Sequence, residues 1–243
     1  LAATGEYQVC LFDNRGCGRS SISVRPYTAA LLARDATKLL DHLGWDSGVH
    51  MIGFSLGGMI AQKMMLKQPE RFATIAFISS YHSSLYAMPT LSDLGFFVRM
   101  FVLGDKSLLP SFVKICFPKR YLNAEFEKGA KVTNYQLIYN ALKGAMNDNP
   151  ERSGATKRVG NFAQLTAAIM HNIGAKELAK VRQKNPDLRM LVFAATLDKV
   201  VKYRCGVSLA RILKCPLVTF HGAGHMLHID QREQFHMLLR AHL

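Results

Sequence analysis

The chain has 243 residues, 49% of them hydrophobic and 20% charged, with a net charge of +14 from 31 Lys and Arg against 17 Asp and Glu. This is ordinary globular composition, enough for one large α/β domain or one domain with an inserted subdomain, and it excludes a low-complexity chain. The positive charge is spread evenly, with 15 basic against 8 acidic side chains over residues 81–187 and 16 against 9 in the remainder; it reads as a basic surface, and no nucleic-acid partner is expected.

No run reaches the roughly 18 apolar residues of a membrane-spanning helix. The nearest stretch, 85–104, is broken by Pro89, Asp93 and Arg99. The five cysteines, Cys10, Cys17, Cys116, Cys205 and Cys215, form no CxxC pair. Neither a disulfide framework nor a metal site is therefore expected, and reduced thiols point to the cytoplasm. No sequence feature calls for a cofactor. Leu1 to Gly5 read as the tail of a helix and its turn, unlike a signal peptide, so sequence upstream is expected to be missing.

In chain order, Tyr7–Asp13 is a short apolar run ending in a Gly-rich loop, the pattern of a buried parallel strand. Tyr27–Leu43 has helical spacing, with Leu31, Leu32, Ala36, Leu39, Leu40 and Leu43 on one broad face and Gly44 as a stop. Gly48–Phe54 is a second strand, Leu56–Gln68 a helix closed by Pro69, and Phe72–Ser80 a third strand. From Tyr81 to Asp187 there are several helical patterns and no clear strand. The strand signal resumes at Leu188–Ala195, followed by a helix at Lys202–Leu213, a strand at Pro216–Phe220 and a helix at Ile229–Leu243. Strands alternating with helices predict an α/β fold with a mostly parallel sheet covered on both faces. The expected division is a core part over 1–80, a helical cap insertion over 81–187 and a second core part over 188–243.

Gly53-Phe54-Ser55-Leu56-Gly57 is a GxSxG motif, and Gly58 follows it. Five residues match by chance often, but here an apolar strand runs directly into the motif and a helix leaves it, the context of a nucleophile elbow. Such a turn holds its serine, Ser55, in a strained backbone conformation. Gly53 and Gly57 lack a Cβ and are expected to let strand and helix approach closely. The backbone NH of Leu56 opens the helix and is expected to face a developing oxyanion, aided by the helix dipole.

A serine hydroxyl needs a base to become nucleophilic, and the base needs an orienting carboxylate. In strand–elbow–helix hydrolases the order is Ser, then acid, then His. Asp198 follows the strand LVFAA, at the carboxyl end where active groups of such sheets gather; its bland alternative is a helix N-cap. His225 ends His221-Gly222-Ala223-Gly224-His225, just past the last strand. Its flanking glycines leave the loop free to bend toward Ser55. His221 and His228 are the rivals, the first placed to pack at the strand end and the second to begin the last helix.

Taken together these motifs resemble the α/β-hydrolase superfamily over nearly the whole chain. DNRGCGRS, Asp13–Ser20, resembles the loop after that family's fourth strand; GFSLGGMIAQ resembles its elbow; the turn at Asp198 and GAGHMLHID resemble its acid and base loops. The resemblance implies an α/β-hydrolase fold with catalytic Ser55, Asp198 and His225. It makes Asp13, Arg15, Gly16 and Gly18 structural, with Arg15 bracing its loop through carboxylate or carbonyl contacts. It also implies three strands and a helix ahead of the DNRG strand, and a His-Gly loop supplying the second oxyanion donor. This sequence holds none of them, so the first strands of the fold are absent and Tyr7–Asp13 lacks its neighbour beside Gly48–Phe54. Because unpaired buried backbone groups cost about 1–3 kcal/mol each, the chain alone is expected to fold poorly or hydrolyse little.

The function this implies is hydrolysis of a small-molecule carboxylic ester through an acyl-enzyme. The apolar stretch Leu94–Leu103 reads as a lid over a lipophilic pocket, as ordinary cap core, or as a shallow membrane contact beside Lys106, Lys114, Lys119 and Arg120. A second reading is a serine peptidase resembling proline iminopeptidases, which share the DNRG-type loop and GxSxGG elbow. Those enzymes usually carry Trp where this chain has Leu56, and need cap carboxylates, for which Glu125, Glu127 and Glu177 are the candidates. A third is a non-catalytic binder on the same fold.

Overall fold

The structure is a computed structural model and describes residues 1–23, 26–87, 90–147 and 154–243. After a helix α1 (Ala29–His42) come strand β1 (Val49–Phe54), helix α2 (Leu56–Lys67) and strand β2 (Phe72–Ile78). Six helices follow: α3 (Ser84–Ala87), α4 (Leu91–Phe97), α5 (Leu109–Cys116), α6 (Lys119–Asn123), α7 (Asn134–Asn147) and α8 (Gly154–Ile169). Short helices α9 (Ala175–Ala179) and α10 (Val181–Lys184) lead into β3 (Arg189–Ala195), then α11 (Tyr203–Leu213), β4 (Leu217–Phe220), α12 (Leu227–Asp230) and α13 (Arg232–His242). The four strands make one sheet in the order β1-β2-β3-β4, every pairing parallel.

Sequence explains the layering. FATIAFI and RMLVFAA are continuous apolar runs because β2 and β3 are covered on both faces. Alternate residues face opposite ways. Phe77 and Val192 pack with Leu32, Met65 and Leu209 under α1, α2 and α11. Ala76, Ile78 and Phe193 pack with Phe220, Phe235 and Leu239 under α13. Helix α1 begins where the Thr28 side chain accepts the Leu31 NH at 3.1 Å. It ends at Gly44, whose φ of +68° turns the chain away. No helix among the described residues is long and apolar enough to cross a membrane.

The chain segments that follow β2 and α8 run side by side at a neck. Ser83 and Asn172 form an antiparallel bridge. The Ser84 NH donates to the His171 carbonyl, and the Ile173 NH to the His82 carbonyl, each at 2.8 Å. Met100, Val113, Phe117 and Leu122 form a further apolar cluster, against which Val200 and Met226 also pack, while α8 docks on the sheet side through Ala163 and Ala167.

Two expectations need correction. Tyr7–Asp13 forms no strand. Leu11 is 91% exposed, and the segment faces β1 across an open groove of about 280 Å³ lined by Val9, Phe12, Met51 and Ile52. An apolar run becomes a strand only when a ladder satisfies its backbone, and β1 pairs on its other side with β2 alone. The last helix is not continuous over Ile229–Leu243: Gln231 (φ −126°, ψ 50°) separates α12 from α13, and its side-chain amide donates to the His221 carbonyl at 2.8 Å.

His171 generates a stability prediction. Its ring is buried in the neck with neither nitrogen partnered among the described residues, and burial, with Lys63 and His82 nearby, pushes its pKa down to about 3. The folded state keeps this ring neutral, while the unfolded chain protonates near the ordinary value of about 6.5. Its stability contribution is therefore full above that value and is lost as pH falls from about 6.5 toward 3. His171→Leu is expected to keep or raise the urea midpoint at pH 7 and to flatten its decline between pH 6.5 and 4. An unchanged acid decline would contradict this.

Candidate active site

β1 runs straight into Ser55, which adopts φ 50° and ψ −114° before α2 begins. This region is costly for a residue with a Cβ and persists only when its surroundings hold it. Here the Ser55 NH donates to the Ile78 carbonyl at 2.8 Å, and the Ser55 carbonyl accepts the Ser80 hydroxyl at 2.9 Å. A Cβ on Gly53 would sit 2.6 Å from the Gly57 carbonyl oxygen, and one on Gly58 2.6 Å from Ser80. At Gly57 a Cβ would meet open space. The close approach of strand and helix thus rests on Gly53 and Gly58, which corrects the role expected of Gly57. Leu56 is the first residue of α2, so its NH has no acceptor within the helix.

Asp198 lies in the turn after β3. One carboxylate oxygen accepts the NH groups of Val200 and Val201 at 2.9 and 2.8 Å. The other accepts from His225 Nδ1 at 2.9 Å. The side chains of His225 and Asp198 are only 6% and 1% exposed. Since a carboxylate can only accept, Nδ1 is the donor of this bond, which in a neutral imidazole leaves Nε2 as the acceptor. The rivals take other roles. His221 is exposed. His228 packs edge-on against Phe54 with ring centroids 4.7 Å apart, and burial pushes its pKa down to about 4.

Ser55 and His225 line one cavity of about 450 Å³. No hydrogen bond joins the Ser55 hydroxyl to the imidazole in this structure. The walls are Met59, Phe97, Phe101, Phe112, Leu165 and Ile169 among others, and no Asp, Glu, Lys or Arg among the described residues lines them. The polar groups of the wall face inward to protein: Tyr81 donates to the Ala168 carbonyl at 2.6 Å, Asn161 to the Phe101 carbonyl at 2.9 Å and Gln164 to the Arg15 carbonyl at 2.7 Å. Glu125, Glu127 and Glu177 are exposed and outside this cavity.

The DNRG loop is braced from several sides. Arg15 forks onto Asp35 at 2.5 and 2.6 Å. Asp13 accepts the Arg19 NH at 2.9 Å. A Cβ on Gly18 would overlap the Asp13 carboxylate. Gly16, at φ +81°, abuts Gly160 of α8 so closely that a Cβ on Gly160 would reach its carbonyl oxygen. Cys17, next in the chain, is half-buried and lines the cavity. Sequence reasoning missed Cys17, Ser79, Ser80 and Tyr81 as site neighbours. The last three follow β2 directly, so their place at a strand's carboxyl end was the available signal.

A model of the alpha/beta hydrolase fold family matches residues 1–231. The chain belongs to the α/β-hydrolase fold family. RutD of Variovorax paradoxus, whose name assigns it carbamate hydrolysis, is 30% identical over 240 residues, covering 96% of this chain and 80% of that protein. RutD of Azorhizobium caulinodans is 29% identical over 124 residues. Rhodomycin D methylesterase DnrP of Streptomyces peucetius is 40% identical over 108 residues. These last two matches span 51% and 39% of this chain but only 41% and 35% of those relatives' lengths. Among solved structures, Est816, described as an N-acyl homoserine lactone degrading enzyme, superposes with a TM-score of 0.71 at 22% identity, over 95% of this chain and 81% of that one. That likeness concerns the fold.

The elbow geometry predicts a contrast. Gly53→Ala is expected to lower the thermal midpoint by several degrees, because the new methyl meets backbone that cannot yield. Gly57→Ala is expected to stay within about 0.5 kcal/mol of the parent. Equal effects in a thermal melt would contradict the assignment of the close approach.

Proposed function

We propose that this chain is a serine hydrolase that cleaves a neutral, apolar carboxylic ester through an acyl-enzyme. The observation that carries the reading is the buried 2.9 Å bond from His225 Nδ1 to Asp198, at the wall of a cavity that also holds a strained, elbow-borne Ser55.

In this mechanism His225 Nε2 removes the Ser55 proton as the hydroxyl oxygen attacks the ester carbonyl. Asp198 holds the imidazole in the required tautomer and stabilises the imidazolium that forms. Negative charge gathers on the former carbonyl oxygen, where the Leu56 NH and the positive end of α2 oppose it. Collapse expels the alcohol, which takes the proton from His225 and leaves Ser55 acylated. Water activated by the same imidazole then releases the acid. The helical segment over 81–187 acts as the cap that closes the cavity.

The cavity chemistry selects the substrate class. Walls without charge among the described residues favour a neutral acyl group, since an ionised one would lose its water without gaining a partner there. The same lack of a carboxylate opposes the peptidase reading, which needs one to hold a substrate ammonium. The relatives' names, a methylesterase and carbamate hydrolases, describe the same kind of carbonyl chemistry.

The expected result with p-nitrophenyl butyrate is a burst of nitrophenol followed by slow steady turnover, because the Leu56 NH is the one oxyanion donor identified. Ser55→Ala should lower kcat by about 10³-fold or more, p-nitrophenyl hemisuccinate should be at least about tenfold poorer, and a prolyl p-nitroanilide should not react. Undiminished turnover in Ser55→Ala would overturn the reading.

A further inference from the structure

The loop that carries His225 is held at three consecutive backbone positions. The Gly224 NH donates to Asp230 Oδ2 at 2.8 Å. The His225 carbonyl accepts the Ser79 hydroxyl at 3.0 Å, from a residue whose own backbone is strained at φ +46°. The Met226 NH donates to the Cys116 carbonyl at 3.3 Å. Two of these anchors have ordinary counterparts elsewhere: a strand-end hydroxyl and a helix-terminal carbonyl.

Asp230 does not. It ends the single turn α12, where a helix dipole disfavours negative charge. Its other oxygen, Oδ1, is buried and has no hydrogen-bond partner among the described residues. A carboxylate taken from water for one backbone hydrogen bond is expensive. What the bond does fix is the residue beside the imidazole.

We propose that Asp230 is a positioning residue for His225, clamping the Gly224 NH so that the imidazole keeps the place from which Nε2 serves Ser55. The proposal rests on the reading of His225 as the base. The clamp and the Asp198 bond act on different degrees of freedom. Asp198 sets the rotation of the ring, and Asp230 sets the backbone from which the ring hangs. Gly224 has little room to find another position, because even an added Cβ there would press to 2.5 Å from the Cys116 carbonyl oxygen.

The clamp is also sensitive to pH. Burial pushes the Asp230 carboxyl up to about 6, against the opposing pull of the Gly224 NH. Above that value the acceptor is charged and the bond strong; as pH falls through it the bond becomes neutral and roughly half as strong. The groups facing Asp230 are few. Tyr121 of α6 has its phenol raised partly by Asp230, with Arg232 of α13 acting oppositely on it. His228, two residues before Asp230, stays neutral in this range.

The test is kcat and KM for p-nitrophenyl butyrate from pH 4.5 to 9 in the full chain, for Asp230→Ala and Asp230→Asn, beside Ser55→Ala and His225→Ala. Asp230→Ala is expected to lower kcat about 10²-fold with KM within about twofold. Asp230→Asn keeps an amide oxygen for the Gly224 NH, so its plateau kcat is expected within about fivefold of the parent. Its acid limb should follow a single ionisation where the parent follows two. Wild-type kcat in Asp230→Ala, or an Asp230→Asn variant as slow as Asp230→Ala with the parent's acid limb, would overturn the clamp while leaving the base assignment intact. Full activity in Ser55→Ala or His225→Ala would instead overturn both.

Discussion

The bond between His225 and Asp198 is the contact on which the proposed site depends, and it joins groups 27 residues apart that stand on different loops. Asp198 follows β3 and His225 follows β4, and those strands are neighbours in the sheet. A parallel pair places both carboxyl ends on one side, so the two loops start close together without any long excursion. The carboxylate is also held independently of the imidazole, by two backbone NH groups of its own turn. The pair is almost wholly dry, where a charge-assisted hydrogen bond is strong and where either group alone would be costly.

The same sheet logic delivers the serine. β1 and β2 are parallel neighbours, so the Ser55 turn meets the residues just past β2. The Ile78 carbonyl and the Ser80 hydroxyl hold it from that side. Strain at Ser55 is therefore balanced by contacts from a strand other than its own, and Gly53 and Gly58 give the space that makes the approach feasible. The cavity above this platform is closed mostly by residues of the helical insertion, whose Phe97, Phe101 and Phe112 contribute no charge to it. In the proposed mechanism chemistry and selectivity would then come from different layers, with the reacting groups at the strand ends and the helices around the cavity they open into.

Much of this was legible in residue order. Continuous apolar runs at β2 and β3 announced buried parallel strands, and the glycines around Ser55 announced an elbow, because those patterns answer to local physics. Tyr7–Asp13 misled for the opposite reason. Its apolar residues are those of a strand, but pairing depends on what lies beside a segment, and composition carries no record of that. Gly57 misled similarly: sequence shows that a Cβ is missing, not whether one would collide. Ser79 stood at a strand's carboxyl end, but its partner, the His225 carbonyl, left no mark in the sequence, and Asp230 was invisible because its partner is a backbone NH, a group that side-chain patterns do not mark.

The central claim is that distant side chains make one hydroxyl reactive, and covalent capture tests it most directly. A fluorophosphonate should label this chain once, with the adduct mapped by mass spectrometry to Ser55. The labelling rate should fall by about 10³-fold or more in His225→Ala and by a large factor in Asp198→Ala. An adduct on another residue, or labelling at the parent's rate in either variant, would contradict the account.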